Sequence, residues 1–193
     1  GPAAATPPNG HQVDIDAAHT VTVTSNSANS FSLILDGTLA LGTTIGHTFG
    51  AITGTGTMTL SATGAGNFTF PSSDISGFTG THDFGGATDG NMINTPSAFN
   101  NLTFSGASIK NLHNTSFTIN GTFSMSAGTV NHTASSTLTM TGDFTNTGAT
   151  FTATSGTFDF NGTGAQAITA SGGSTTFNHL SLSNTTGTIT LND

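Results

Sequence analysis

His82, Asp83, Asp89 and Asn91 fall within one short stretch, THDFGGATDGN (81–91). Carboxylate and amide oxygens on a glycine-rich loop are the hard ligands that Ca²⁺ prefers, so these four are the best metal candidate in the chain. Their spacing follows no Ca²⁺-loop pattern, however, and Asp, Asn and Gly also gather in turns for backbone reasons alone. The expectation is a turn without a metal. The seven histidines, at 11, 19, 47, 82, 113, 132 and 179, show neither HxxxH nor HxH spacing. They read as surface or corner residues rather than as a zinc site.

Catalysis finds little to work with. Glycoside hydrolysis needs two carboxylates facing one bond. The nine acids are all Asp, at 14, 16, 36, 74, 83, 89, 143, 159 and 193. Asp143 and Asp159 lie closer in sequence than one repeat as described below, and need not face each other. Proton abstraction from an acidic sugar would want Arg or Lys, and Lys110 is the one cation of the chain. No catalytic residue and no cofactor is assigned, and an enzyme is not expected. The run Thr20-Val21-Thr22-Val23-Thr24 raises another chemistry, an outward threonine array that binds ice. Such an array needs Thr pairs on one face of several consecutive repeats, whereas the outward positions mix Thr, Ser, Asp and Asn, so it ranks as a minor alternative. The sequons at Asn67, Asn101, Asn114, Asn120, Asn131, Asn161 and Asn184 are what so much Asn and Thr produces by chance.

Composition narrows the partners. A formal charge of −8 with a single Lys leaves almost nothing to replace counterions on phosphates, which argues against nucleic acid and against anionic membrane surfaces. No run of about 18 apolar residues exists to span a bilayer. Without Cys there is neither a disulfide frame nor a thiol site. Charged residues make up 5%, yet apolar residues are regularly spaced and Thr is abundant, which suits half-buried pleated surface rather than disorder. Surfaces rich in Thr, Ser and Asn and poor in Lys point to an extracellular or cell-surface place.

The elements that carry these residues recur. SFTINGTF (116–123), TLTMTGDF (137–144), TFDFNGTG (157–164) and HLSLSNTT (179–186) share one order of apolar and polar positions, and SLILDGTL (32–39) repeats it upstream. Phe117, Leu138, Phe158 and Leu180 are equivalent and almost evenly spaced. Each has an apolar companion at the next position but one: Ile119, Met140, Phe160 and Leu182. Period two places each pair on one face of a strand. Asp36-Gly37, Asn120-Gly121, Thr141-Gly142 and Asn161-Gly162 read as turns in which Gly supplies angles that a side chain would forbid. Phe123 and Met125 begin a second strand of the repeat, with Phe151 and Ala153 as their expected equivalents one turn on. SAFNNLTFSG (97–106) and TTFNHLSLSN (175–184) look like copies of one another. Alternation also marks strands at 19–26, 31–42 and 56–63.

Repeats of this length indicate a solenoid, and no 3.6-residue stripe supports a helical one. The fold class expected is all-β: a parallel β-helix (β-solenoid) with three short strands per turn of about 20–22 residues and roughly eight turns. At about 4.8 Å per turn the rod is on the order of 40 Å long. Residues 1–10 are an extended arm, 11–193 a single β-solenoid domain, and 71–96 an irregular excursion within it. Gly1-Pro2 has two readings, a scar of a cleaved tag or a native mature end.

VDIDAAHTVTVTSN, FNNLTFSG, FTINGTFSMSAGT and GTFDFNGTGAQAIT resemble the repeats of large secreted bacterial surface proteins and adhesins built as right-handed parallel β-helices. The resemblance covers about residues 11–193 and implies a structural part, a stalk, adhesin or fibre. Polysaccharide lyases share the architecture, so the fold alone does not decide function.

The two ends of the repeat array carry the functional expectation. The strand GTITLND (187–193) turns Ile189 and Leu191 inward with nothing after it to cover them. The first turn does the same with Val13, Ile15, Val21 and Val23. Two open edges of one fold are complementary, and head-to-tail stacking generates a filament. The arm, with Pro7 and Pro8, would cross the joint. The first expectation is a self-assembling subunit of an extracellular fibre. The alternatives are a stalk module of a large adhesin or, less favoured, a carbohydrate- or ice-binding β-helix, with surface glycans as a further candidate partner.

Overall fold

Thr, Val and Phe at every second position make each short segment a strand with one apolar side, and no such strand can bury that side alone. Coiling solves this by laying each segment on its own equivalent one turn earlier. The computed structural model describes residues 11–62 and 66–193. Over them the chain is a parallel β-solenoid of about eight turns of roughly 21 residues, with three parallel sheets and no helix. The arm 1–10, with Pro7 and Pro8, lies outside the described residues.

Each coil has three faces. The first carries Gln12–Ile15, Asn29–Leu35, Thr48–Gly54 and Ser72–Phe78 as one four-stranded sheet. Beyond a break, Ala98–Phe99, Phe117–Ile119, Thr137–Met140, Thr157–Phe160 and His179–Leu182 continue the same face as a separate five-stranded sheet. The second and third faces form one 13-stranded sheet, because Phe144–Ala153 and Gln166–Thr176 run through the corner between them and pair on both.

The ladder aligns Phe117 with Leu138, Leu138 with Phe158 and Phe158 with Leu180, as the spacing predicts. Three other expectations are corrected. Phe123 and Met125 stack on Phe144 and Asn146 of the second face, whereas Phe151 and Ala153 stack on Val130 and His132 of the third. The look-alikes 97–106 and 175–184 occupy different faces: Leu102 and Phe104 lie on the second, Leu180 and Leu182 on the first. The stretch 71–96 holds a strand on every face, Ser72–Phe78, Thr81–Phe84 and Gly90–Ile93. It reads as irregular for two reasons. Its coil is long, since the step from Thr57 to its partner Thr81 exceeds the step from Thr137 to Thr157 in the regular part. Its first strand also slips register against Thr48–Gly54.

Inward side chains stack as dry columns. The longest runs Val21, Leu39, Met58, His82, Leu102, Phe123, Phe144, Ile168, Leu191, each the ladder partner of the next. Val21 is 41% and Leu191 67% exposed, while those between are 6% exposed or less. Phe rings interleave beside this column: Phe84 with Phe104, Phe104 with Phe123, and Phe123 with Phe144, at centroid distances of 5.1, 5.8 and 5.5 Å. At about 25 cal/mol per Å² of apolar surface, these columns are the main stabilising term. Outward amides stack too, on the third face. Asn111 Nδ2 donates to Asn91 Oδ1 at 2.8 Å, and Asn131 Nδ2 to Asn111 Oδ1 at 3.1 Å.

The corner between the first and second faces is a line of glycines, for a reason the sequence alone does not give. Gly37, Gly121, Gly142 and Gly162 all lack a positive φ, so special backbone angles are not what selects them. The coils simply approach too closely there. A Cβ on Gly142 would lie 2.0 Å from Gly121 O, on Gly162 2.4 Å from Thr141 O, and on Gly56 2.2 Å from Gly37 O.

Two polar side chains inside the stack, Asn146 and Lys110, are tied to backbone. Asn146, fully buried, accepts from Gly148 N and Ala149 N and donates to Ala149 O and Ser174 O, holding the turn between two faces. Lys110 also points inward at 0% exposure. Its Nζ donates to Gly106 O at 2.5 Å, Ser108 O at 3.2 Å and Ser108 Oγ at 2.9 Å.

Two outcomes are expected. Gly142→Ala lowers stability by about 2–4 kcal/mol in thermal or denaturant unfolding, whereas Gly164→Ala, with nothing within 4 Å, is neutral within about 0.5 kcal/mol; equal effects would contradict the corner argument. Trypsin has one site, after Lys110. The folded chain resists it, and the unfolded chain yields two fragments on a gel.

Candidate functional site

The four residues of the candidate Ca²⁺ site do not converge. His82 points into the core, 1% exposed, between the rings of Phe78, Phe99 and Phe70 at centroid distances of 5.2, 5.2 and 5.8 Å. Asp83, next along the strand, points outward and accepts from Ser105 Oγ at 2.8 and 2.9 Å. Asp89 Oδ1 accepts from Ile109 N at 2.7 Å, and Asn91 sits in the amide ladder. Among the described residues no three His, Asp, Glu or Cys side chains come together as a metal-holding group.

What the carboxylates do instead is join coils. Asp36 Oδ1 accepts from Thr55 N at 3.0 Å, Asp143 Oδ1 from Ala167 N at 2.8 Å, and Asp159 Oδ1 from Ser183 Oγ at 2.7 Å. Together with Asp83 and Asp89, each of these reaches a donor one coil further along the chain. Burial pushes the Asp83 carboxyl above its ordinary range, against the Ser105 hydrogen bonds and the nearby Lys110 charge. Burial lowers the Lys110 ammonium, and Asp83 and Asp89 oppose it. Threonines hold four successive rungs of one outward column on the second face, Thr20, Thr38, Thr57 and Thr81. The companion column reads Thr22, Ala40, Thr59, Asp83, so paired rows are not continuous.

The coil ends behave differently from the middle. On the coil that closes at Asn192, Leu182 is 52% and Leu191 67% exposed, and Leu180 and Ile189 are half-buried. Their partners one rung below, Phe160, Ile168, Phe158 and Gln166, are all buried. Leu182 is an end residue that sequence reasoning misses, although its equivalence to Phe160 is the signal that marks it. At the opposite end Ile15 is buried, Val13 and Val23 are half-buried and Val21 is exposed.

A second feature, invisible in the sequence, is a lateral slot. The first-face ladder stops at Ser72–Phe78 and resumes only at Ala98–Phe99, whereas the other two faces remain paired at this level. The gap opens a cavity of about 380 Å³ lined by Phe70, Pro71, Ser72, Ser73, Ile75, His82, Asn94, Thr95 and Pro96. A groove of about 390 Å³ adjoins it and shares Ser73, Ile75 and Pro96. His82 forms its inner wall with neither ring nitrogen hydrogen-bonded.

Burial pushes the His82 pKa down to about 4, and His47 and His132 are lowered for the same reason. A base depressed by folding takes its proton later than in the unfolded chain. Between about pH 6.5 and 4 the unfolded state therefore binds more protons, and stability falls as pH falls through that window. For His82 alone the loss by pH 4.5 is about 2–3 kcal/mol. His82→Met, which suits a rung between Met58 and Leu102, should flatten the dependence of melting temperature on pH between 7.5 and 4.5. An unchanged slope would show that His82 is not buried as described.

No protein-family model, no curated protein and no solved structure matches this chain, so no relative lends it a function.

Proposed function

We propose that this chain is a structural subunit of an extracellular fibre, growing head to tail as the open edge of one copy pairs with the open edge of the next. The observation that carries the reading is the abrupt change along single columns, from Ile168 at 6% exposure to Leu191 at 67%, and from Leu39 at 3% to Val21 at 41%. Among the described residues no rung covers these inward positions, which leaves apolar surface and a strand edge unpaired there, and such edges template pairing with another chain. The contact is heterologous and leaves a fresh edge at each step, so it propagates. The low charge of the lateral faces and their Thr, Ser and Asn composition suit a surface that stays inert in water while the ends associate. Further support is that the five coil-joining carboxylates are already engaged within the stack. The arm with Pro7 and Pro8 is assigned to the joint on sequence grounds. The alternative, a stalk stretch in which the neighbouring coil belongs to the same polypeptide, uses the same edge and differs in one result.

Sedimentation velocity and negative-stain microscopy of the 193-residue chain separate the two. A fibre subunit forms rods that lengthen with protein concentration. Leu182→Asp with Leu191→Asp weakens that association at least about tenfold, since each buried Leu contributes about 1.5–3 kcal/mol, and leaves the circular dichroism spectrum intact. A chain that remains monomeric at every concentration overturns self-assembly and leaves the stalk reading.

A further inference from the structure

Among the described residues, six buried side-chain atoms have no hydrogen-bond partner: Ser30 Oγ, Ser73 Oγ, His82 Nδ1 and Nε2, Thr95 Oγ1 and His132 Nδ1. Four of the six belong to Ser73, His82 and Thr95, residues that line the lateral cavity, although these four atoms are themselves covered. Leaving a buried donor or acceptor unmade costs about 1–3 kcal/mol each, so their convergence from three separate segments is not what a merely apolar core produces. His82 sharpens the point. It takes a rung that is apolar in every other coil, and Met58 and Leu102 on either side show what would satisfy the column.

The walls state what would fit. Phe70, Pro71, Ile75 and Pro96 offer flat apolar surface, and Ser73, Thr95 and His82 offer neutral groups that both donate and accept. No Lys or Arg lines the cavity, which disfavours a phosphate or carboxylate, and an apolar ligand would leave the four polar atoms unmade. A peptide strand is disfavoured because Pro71 and Pro96, which lack an N–H, stand on the two borders of the gap. A volume of about 380 Å³ lies within the range of small-molecule sites. The adjoining groove extends it with the rings of Phe78 and Phe99, the amides of Asn100 and Asn120, the Asp74 carboxylate and the hydroxyls of Ser76, Thr79 and Ser97.

We propose that this slot in the side of the coil stack binds a neutral sugar, one ring seated against Phe70 and the prolines, the covered polar groups of Ser73, Thr95 and His82 turning toward its hydroxyls as it binds, and a linked ring lying in the adjoining groove. The site is lateral, so it remains open when ends are stacked and does not depend on the fibre reading.

The test uses the full chain labelled with ¹³C at histidine Cε1, titrated separately with glucose, galactose, mannose, N-acetylglucosamine and their β-linked disaccharides. The expected result is that at least one sugar shifts the His82 resonance saturably, with a disaccharide binding tighter than its monomer. Ser73→Ala with Thr95→Val weakens that sugar about tenfold, and His82→Leu abolishes its binding by calorimetry while the chain stays folded. The proposal is overturned if no sugar moves His82 at tens of millimolar, which would leave a cavity filled by water, or if the double variant binds as tightly as the parent.

Discussion

Parallel backbone pairing at a single strand spacing is the constraint on which everything else here depends. Once each coil is hydrogen-bonded to the one before it, every side chain acquires a like-placed neighbour about 4.8 Å above and below. Inward positions must then stack as columns of Phe, Leu, Ile and Met. Corners that approach too closely must be Gly, as at Gly142 over Gly121 O. Outward polar side chains find partners one coil away rather than in solvent, as Asn111 does with Asn91 and Asp36 with Thr55. A chain with one Lys and no Arg can therefore be held together by neutral hydrogen bonds and stacked apolar surface, with its acids serving as acceptors for backbone and hydroxyl donors.

The same constraint explains where the structure departs from regularity. Polar residues that enter the interior do so at corners or breaks. Asn146 and Lys110 satisfy carbonyls at turns between faces. Phe177, between the strands Gln166–Thr176 and His179–Leu182, sets its ring against Phe144, Phe151 and Phe158 at 5.2, 5.6 and 5.3 Å, partly filling the interior near the last coil. His82 differs from these: neither of its ring nitrogens is hydrogen-bonded, and it lies where the first-face ladder is interrupted.

Period-two alternation makes the fold class and the coil length legible in the sequence, and the equivalence of Phe117, Leu138, Phe158 and Leu180 with them. Alternation reports which side of a strand faces in, but not which face of the coil the strand belongs to. That is why pattern alone aligns Phe151 with Phe123 rather than Val130, and why 97–106 passes for a copy of 175–184. Coil length also varies, from the short step between Ser32 and its partner Ala51 to the long one between Phe144 and Ile168, so counting alone loses the frame. Phe31 shows another limit. Alternation groups it with Leu33 and Leu35, yet it lies outward at 70% exposure while Ser30 turns in. The slot is not legible at all, because its residues come from three segments and its cause is a missing ladder rather than a motif. Of the end residues, Ile189 and Leu191 are legible, since the strand ITLN keeps its inward pattern whether or not another coil covers it.

Hydrogen exchange read by mass spectrometry at low and high protein concentration tests the central claim, that the stack is continued at its ends by a further coil. The amides of Thr20–Thr22 and Ile189–Asn192 should exchange rapidly in dilute solution and become protected as concentration rises, while those of Phe117–Ile119 and Thr157–Phe160 stay protected throughout. Protection at the ends that is independent of concentration, or equal to that of the middle in dilute solution, would contradict it.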